Sequence, residues 1–378
     1  MTELVQQTQR TSPLDDMHRR HGATMTERDG WSLPASFGDT MAEYSAVRDG
    51  GGGVIDLSSR GRVIVEGSEA VQFLNGLVTN DVNTLSPNSW MPAVFPNVQG
   101  RLLAAVRVIH HNDGFLIDTE SVTHETVVKL LERFTLAGDF RVTDLSRETA
   151  QISVQGARAP EIVRTALGKE AGEVERQHAT EAKLPSGRDV TVIRGTHTAE
   201  DGFDLFCRVD DAEALWRGLL AAGARPVGSD AFEIMRIEAG VPRYGVDMDQ
   251  TTVVTETNLD DAVSFTKGCY VGQEIIVRIK HRGHVAKKLT GLVLDGRDVI
   301  DAGAKIRSTD GKEIGRVTSS TFSPRRQRTI ALGYVKYDYL APETRVKVVS
   351  GGDEHAAQVA SLPFVRGSWY GIEVTGDR

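Results

Sequence analysis

The sequence predicts an α+β protein in which two rounds of strands and helices precede a small all-β domain. Between about residues 41 and 284, apolar runs with a period of two alternate with amphipathic helical segments. After about residue 285, short strands follow one another with turns between them, which favours a β-barrel or a sandwich. The chain has 378 residues, which is enough for two or three domains.

The first round follows a polar segment. Residues 1–40 carry scattered charges and little apolar periodicity, so we predict that they form a mobile N-terminal segment. Ser68 is a suitable N-cap for a helix with Val71 and Leu74 on one face. The turn 112–114 is typical of a hairpin. The other predicted elements of this round are strands 54–57, 62–66, 91–95, 102–110 and 115–118 and helix 123–137.

The second round begins at a boundary near residue 150. It is predicted to contain strands 150–154, 190–194 and 203–209 and helices 160–167 and 212–222. The barrel region, residues 285–378, is predicted to contain strands 289–294, 304–307, 314–318, 329–337 and 345–349, with a tight turn at Asp310 and Gly311.

A well-delimited helix, residues 230–238, ends the second round. Asp230 and Glu233 have the spacing of a capping box, and Gly240 suits the C′ position. Glu238 lies in the last turn, where its charge opposes the helix dipole by roughly 0.3–1 kcal/mol. We therefore expect its carboxylate to have a partner, either a cation such as Arg236 or a ligand.

The composition excludes several classes of protein. Lys and Arg number 44 against 52 Asp and Glu, and this net charge of −8 argues against a nucleic-acid coat. Cys207 and Cys269 are far apart and no CxxC occurs, so we expect a reducing, cytoplasmic location. No apolar run approaches the roughly 18 residues of a membrane span. No metal site is predicted, and we expect a monomer.

The most distinctive motif is residues 267–274, KGCYVGQE, which we call the octet. Lys267 lies two positions before Cys269, and a helix can begin after Gly272. A nearby ammonium and a helix N-terminus both favour the thiolate form of a cysteine. Cys269 is thus either a reactive thiol or a small buried cysteine in a tight turn.

The octet resembles the signature of the YgfZ-type folate-binding proteins, which are relatives of the glycine-cleavage T-protein. Other stretches resemble the same superfamily in the same order: VIDLS (54–58), FLNGLVTNDV (73–82), NVQGR (97–101), RIEAGVPRYG (236–245), ETNL (256–259), IGRVTS (314–319) and IALGYV (330–335). The resemblance implies two ferredoxin-like α+β portions and a C-terminal β-barrel, packed as a cloverleaf around a central folate pocket.

The resemblance also implies roles for particular residues. Glu238 would contact the pterin of tetrahydrofolate or a one-carbon derivative, and Asn97, Tyr270 and Gln273 would complete the folate site. We expect Cys269 to lie at the mouth of the pocket that Glu238 lines.

One stretch departs from the T-protein pattern. T-proteins carry two aspartates where this chain has Ala104 and Ala105, and one of those aspartates is needed for aminomethyl transfer. An alanine cannot exchange a proton. The sequence therefore leaves open whether the chain is an enzyme.

Three hypotheses follow. The first is a tetrahydrofolate-binding protein that supports iron–sulfur cluster assembly or repair in client enzymes, with Cys269 as a redox-active or ligating thiol and Lys267 favouring its thiolate. The second is a folate-dependent aminomethyltransferase or another one-carbon transferase. The third is a module that contacts RNA through the basic clusters 280–282 with 287–288, and 325–328.

Overall fold

The structure, a computed structural model, describes residues 9–112, 114–133 and 138–371. The first elements are β1 (Arg10–Thr11), α1 (Asp15–Arg20), β2 (Thr24–Arg28) and β3 (Trp31–Ser36). The three strands form a sheet in the order β1-β3-β2. Leu14 and Met17 are buried in the core of the second α+β portion. The prediction of a mobile segment is therefore wrong for residues 9–40, while residues 1–8 lie outside the described residues.

This anchoring gives a testable expectation. Replacing Leu14 with alanine should lower the free energy of unfolding by about 2–5 kcal/mol, the usual cost of a cavity in a packed core. Urea unfolding followed by circular dichroism measures the change. Met41→Ala is the control, because the side chain of Met41 is 42% exposed. Equal effects of the two substitutions would show that the N-terminal segment does not contribute to the core.

The first α+β portion is built on a five-stranded antiparallel sheet in the order β6-β7-β8-β5-β9. Its helices α3 and α4 pack Leu74, Val127 and Leu131 into one core with the sheet. The elements from residue 40 onwards are α2 (Thr40–Arg48), β4 (Gly53–Asp56), β5 (Gly61–Glu66), α3 (Ala70–Leu77), β6 (Ser89–Pro96), β7 (Leu102–His111), β8 (Gly114–Thr119), α4 (His124–Glu132) and β9 (Arg141–Asp144).

Three predicted features of this portion differ from the structure or lie partly outside the described residues. Helix α4 ends at Glu132, and the remainder of the predicted helix, residues 134–137, lies outside the described residues. Residue 113 of the predicted hairpin turn also lies outside them. Ser68 does not cap α3, because its hydroxyl donates instead to Asp139 (2.6 Å).

The second α+β portion has a six-stranded sheet in the order β11-β12-β13-β10-β4-β14. Strand β4 precedes the predicted boundary near residue 150, yet it pairs with β10, so the two portions interleave along the chain. The elements are β10 (Thr149–Gln155), α5 (Ala159–Leu167), α6 (Lys169–Gly172), β11 (Ala179–Lys183), β12 (Asp189–Arg194), β13 (Gly202–Arg208), α7 (Ala212–Ala221), β14 (Arg225–Pro226) and α8 (Ser229–Glu238).

Helix α8 begins differently from the prediction. It starts at Ser229 after Gly228, and no side chain caps its N-terminus. Glu233 forms an ion pair with Arg236 (2.6 Å) instead of closing a capping box. The predicted end of the helix is confirmed, since Gly240 follows it with a φ of +70°, in the left-handed region that suits glycine.

The C-terminal strands form a closed six-stranded barrel in the order β15-β18-β17-β16-β19-β20. Leu292, Ile306, Val317 and Val348 fill its core. The elements are α9 (Gln273–Arg282), β15 (Lys287–Leu294), β16 (Lys305–Ser308), β17 (Glu313–Ser323), β18 (Arg328–Lys336), β19 (Arg345–Ser350) and β20 (Asp353–Ala360). The predicted fold class, two α+β portions and a C-terminal barrel, is confirmed. Within the described ranges, no helix is both long and apolar enough to cross a membrane.

Candidate functional site

The main candidate site is a cleft between the two α+β portions, which we call the central cleft. The space between its walls is about 910 Å³ when the open solvent at the mouth is included. The residues that line it are Arg28, Asp29, Leu33, Pro34, Ile55, Asp56, Leu57, Ser59, Arg60, Glu120, Ser121, His197, Val227, Ser229, Phe232, Glu233, Arg236, Val241, Pro242 and Arg243.

Four charged side chains form a network beside this cleft, which we call the charge cluster: Asp118 on β8, Asp204 on β13, Arg107 on β7 and Arg60 before β5. Arg107 Nη2 lies 2.6 Å from Asp118 Oδ2 and 2.5 Å from Asp204 Oδ2. Arg60 Nε donates to Asp118 Oδ1 (2.7 Å). Both carboxylates are fully buried. Three strands of two sheets thus bring opposite charges together where the portions meet.

The electrostatics of the cluster keep its two carboxylates ionised. Burial alone would raise the pKa of Asp118, but the guanidinium groups of Arg60 and Arg107 lower it further than burial raises it. In the same way His197 and Arg107 outweigh burial and lower the pKa of Asp204. Both groups are therefore hydrogen-bond acceptors at neutral pH.

Asp204 contacts a residue of the cleft wall. Its Oδ2 lies 2.9 Å from Nε2 of His197, a residue that lines the cleft. Its Oδ1 is buried and makes no hydrogen bond of ordinary length to the described residues, although the hydroxyl of Ser153 on the neighbouring strand helps to lower the pKa of this carboxyl group. Asp204 is fully buried and does not itself line the cleft, so it acts on a ligand there through His197.

The opposite wall of the cleft is rich in arginine. Glu233 lies 2.6 Å from Arg236, 3.8 Å from Arg243 and 3.9 Å from Arg28. Arg236 also donates to Asp247 (2.7 Å), which does not line the cleft. Although burial alone would raise the pKa of Glu233, these three arginines lower it. Three guanidinium groups around one lining carboxylate favour an anionic group at this wall.

The charge cluster was not predicted from the sequence. A signal was present, because Asp118, Asp204 and Arg107 each stand within an apolar strand of period two, where a charged residue is unusual. Only the folded sheets show that these isolated charges meet.

Glu238 links three elements of the fold through its hydrogen bonds. Its carboxylate is fully buried and accepts hydrogen bonds from Tyr44 (2.9 Å), Arg48 (3.0 Å) and Ser323. It therefore connects helix α8 to α2 and to strand β17 of the barrel. Glu238 does not line the central cleft. The pterin contact implied for it, and the pocket that it would share with Cys269, stay predictions.

Lys267 is oriented away from the predicted partner. Its Nζ donates to the backbone carbonyls of Asn75 (2.7 Å), Val78 (2.9 Å) and Asn80 (2.6 Å). These three bonds use all the donors of an ammonium group. Burial lowers the pKa of Lys267 to about 8. The side chain ties the octet to the C-terminal end of α3, so the predicted pairing with the thiol of Cys269 is wrong.

The other predicted folate ligands cluster around the octet. Asn97 Oδ1 accepts from the backbone N–H groups of Gln99 (2.9 Å) and Arg101 (3.0 Å). A Cβ on Gly272 would lie 2.2 Å from the carbonyl of Asn97, so the octet packs directly on this loop. Tyr270 is buried in an apolar cluster, and Gln273 donates to the carbonyl of Lys267 (3.4 Å). None of these predicted ligands lines the central cleft, and their contact with folate stays a prediction.

The two cysteines differ in accessibility. Cys269 is exposed, whereas Cys207 is buried and burial raises the pKa of its thiol to about 12. The reading of Cys269 as a buried cysteine is therefore wrong.

We expect native protein to react with one equivalent of a chromogenic disulfide reagent at pH 7.5 and denatured protein with two. Cys269→Ser should abolish the native reaction and Cys207→Ser should preserve it; the reverse pattern would contradict the structure.

The alanines that replace the T-protein aspartates are both packed. Ala104 is fully buried in the core of the first portion. Ala105 packs against the apolar cluster that contains Tyr270. Neither side chain can bind or move a proton.

Comparison with known proteins is consistent along the chain. The family model of the GCVT N-terminal domain matches residues 14–267, and that of the glycine cleavage T-protein C-terminal barrel domain matches residues 287–366. An aminomethyltransferase of Rubrobacter xylanophilus is 32% identical over 97% of each chain. One of Geobacillus kaustophilus is 31% identical over 94% of this chain and 98% of its own.

A solved structure agrees with these matches. The glycine cleavage system aminomethyltransferase T of Bartonella henselae superposes with a TM-score of 0.87 at 25% identity, over 95% of this chain and 99% of that one. The prediction of a YgfZ-type protein that supports iron–sulfur enzymes is therefore wrong, since the relatives that match over nearly the whole length are named aminomethyltransferases. The chain belongs to the glycine cleavage T-protein family.

Proposed function

We propose that this chain binds tetrahydrofolate in the central cleft and transfers a one-carbon unit, in the form of an aminomethyl group, between an amine donor and the folate. The observation that carries the proposal is the composition of the cleft wall, where apolar side chains such as Ile55 and Phe232 stand beside the carboxylate of Glu233 and its three arginines. The pterin ring presents N–H donors along one edge, and an ionised carboxylate on the wall, such as that of Glu233, is the strongest acceptor for them. The names of the full-length relatives support aminomethyl as the transferred unit.

The remaining cleft residues suit the rest of a folate. Ile55, Leu57 and Phe232 offer apolar surface to a flat ring system. Arg28 and Arg243 lie on the arginine-rich wall, where they would pair with the carboxylates of the glutamate tail. When bound, tetrahydrofolate would supply the nucleophilic nitrogens that accept the one-carbon unit.

Calorimetric titration with tetrahydrofolate tests the proposal directly. We expect one site per chain and an affinity that falls with rising salt, because paired carboxylates and guanidinium groups are screened. Tetrahydropteroate, which lacks the glutamate, should bind more weakly and with less salt dependence. The proposed function would be refuted if neither tetrahydrofolate nor tetrahydropteroate produced heat and neither compound competed with the other.

A further inference from the structure

One-carbon transfer to a folate nitrogen needs a base. A nitrogen that carries a hydrogen must lose that proton when it forms a bond to carbon, and the leaving amine must gain one. The residues that could do this in the T-protein pattern are Ala104 and Ala105 here, and both are packed in apolar surroundings. Another group on the wall of the cleft must handle the proton.

His197 is the histidine that lines the central cleft. Its side chain is 16% exposed, whereas its partner Asp204 is fully buried behind it. The ring Nε2 lies 2.9 Å from Asp204 Oδ2, and the ring also makes an edge contact with Phe232 (6.0 Å between centroids). The backbone N–H of His197 donates to Gln155 (3.0 Å), which fixes the loop. The imidazole is thus fixed on its buried side by Asp204, and its other side faces the central cleft.

The carboxylate decides which nitrogen is basic. Arg107 lies 2.5 Å from the same Oδ2 and keeps Asp204 charged and immobile. A charged carboxylate at Nε2 selects the tautomer that carries its hydrogen on Nε2, which leaves the lone pair on Nδ1. Nδ1 makes no hydrogen bond to any described residue. A histidine oriented in this way by a carboxylate is the usual form of a general base.

We propose that His197, oriented by Asp204, is the general base of the central cleft and takes up at Nδ1 the proton released when the one-carbon unit is transferred. His197 accepts the proton of the nucleophilic nitrogen as its N–H bond breaks and the new C–N bond forms. The old C–N bond breaks with its electron pair on the leaving amine, and His197 returns the proton to that amine. No oxidant or reductant is required. This role rests on the proposed function and deepens it.

The chain contains a matched pair for comparison. His124 Nε2 lies 2.9 Å from Asp144 Oδ2, and the His124 side chain is 15% exposed, but neither residue lines the central cleft. The two histidines therefore share their hydrogen bond and exposed fraction, while Asp144 is 40% exposed, Asp204 is buried, and the two pairs differ in location. His124→Asn is the control for His197→Asn.

Nitrogen-15 NMR of the histidine rings in the full-length protein tests the role, with the signals of His197 and His124 assigned from the two asparagine variants. We expect the Nε2–H tautomer at His197, loss of that preference in Asp204→Asn, and a shift of the His197 Nδ1 signal when tetrahydrofolate is added. The His124 ring signals should not move.

The outcomes separate the two proposals. If calorimetry shows saturable tetrahydrofolate binding while His197 has the Nδ1–H tautomer, or while its ring signals stay unchanged, the general base is refuted and the folate site survives. If tetrahydrofolate produces neither heat nor any shift of the His197 ring signals, the proposed function is refuted, and the role of His197 as general base is refuted with it.

Discussion

Replacing Arg48 with methionine is expected to lower the free energy of unfolding by about 3–5 kcal/mol, the cost of breaking a buried ion pair by removing one partner. Arg48 is fully buried at its side chain and bonds to Glu238 (3.0 Å) and Glu200 (3.0 Å). It also donates to the carbonyl of Thr198 (2.7 Å). Methionine fills similar space but leaves two buried carboxylates without their cation. Denaturant unfolding of the two proteins at pH 7 measures the loss.

Arg158→Met is the control for this experiment. Arg158 pairs with Glu161 on the surface, with 52% and 48% of the two side chains exposed. Exposed pairs contribute little, so its denaturation midpoint should match that of the wild type. A wild-type midpoint for Arg48→Met would mean that water or protonation of Glu238 compensates for the missing charge. Adding Glu238→Gln to Arg48→Met should recover part of the loss, because it removes one unpaired charge.

Replacing Asp204 with asparagine is expected to weaken tetrahydrofolate binding about 10- to 100-fold, because the hydrogen bond that holds the cleft residue His197 against a charged carboxylate contributes about 1.5–3 kcal/mol. The amide has nearly the same shape, but it offers one oxygen acceptor instead of two and carries no charge. Calorimetric titration gives the change in affinity. The thermal unfolding midpoint of the variant shows whether the loss of the Arg107 ion pair has disturbed the fold.

Two further variants serve as a control and as a test of the alternative residue. Asp201→Asn is a matched control, because Asp201 is a buried partner of Arg194 (2.6 Å), which does not line the central cleft, whereas Asp204 holds the lining residue His197. It should bind tetrahydrofolate as the wild type does. Glu238→Gln tests the contact that the sequence resemblance implied. Weaker binding in Glu238→Gln, together with unchanged binding in Asp204→Asn, would favour Glu238 and contradict our choice of Asp204.

The fold could largely be predicted because its signals are local. A strand with period two or a helix stripe such as Leu74 and Leu77 can be recognised within ten residues. The N-terminal segment failed this test because Leu14 and Met17 lie among polar residues, and their burial depends on strands more than a hundred residues away. Propensity carries no information about such distant contacts.

The site could be predicted less well for the same reason. Asp118, Asp204 and Arg107 come from three strands and meet only when two sheets pack. The predicted pairing of Lys267 with Cys269 failed for the opposite reason. The two residues are close in the chain, but their side chains have different partners. After Lys267 the chain turns, and the ammonium reaches the end of α3 while the thiol faces solvent.

The position of β4 has a consequence for how the chain is made. β4 is synthesised about a hundred residues before β10, the strand that lies beside it in the sheet. Such a long separation raises the contact order and slows folding. On the ribosome, β4 has to wait unpaired until β10 emerges, whereas strands β5 to β9 of the first portion follow one another in the chain, so the second portion and the cleft beside it are completed last.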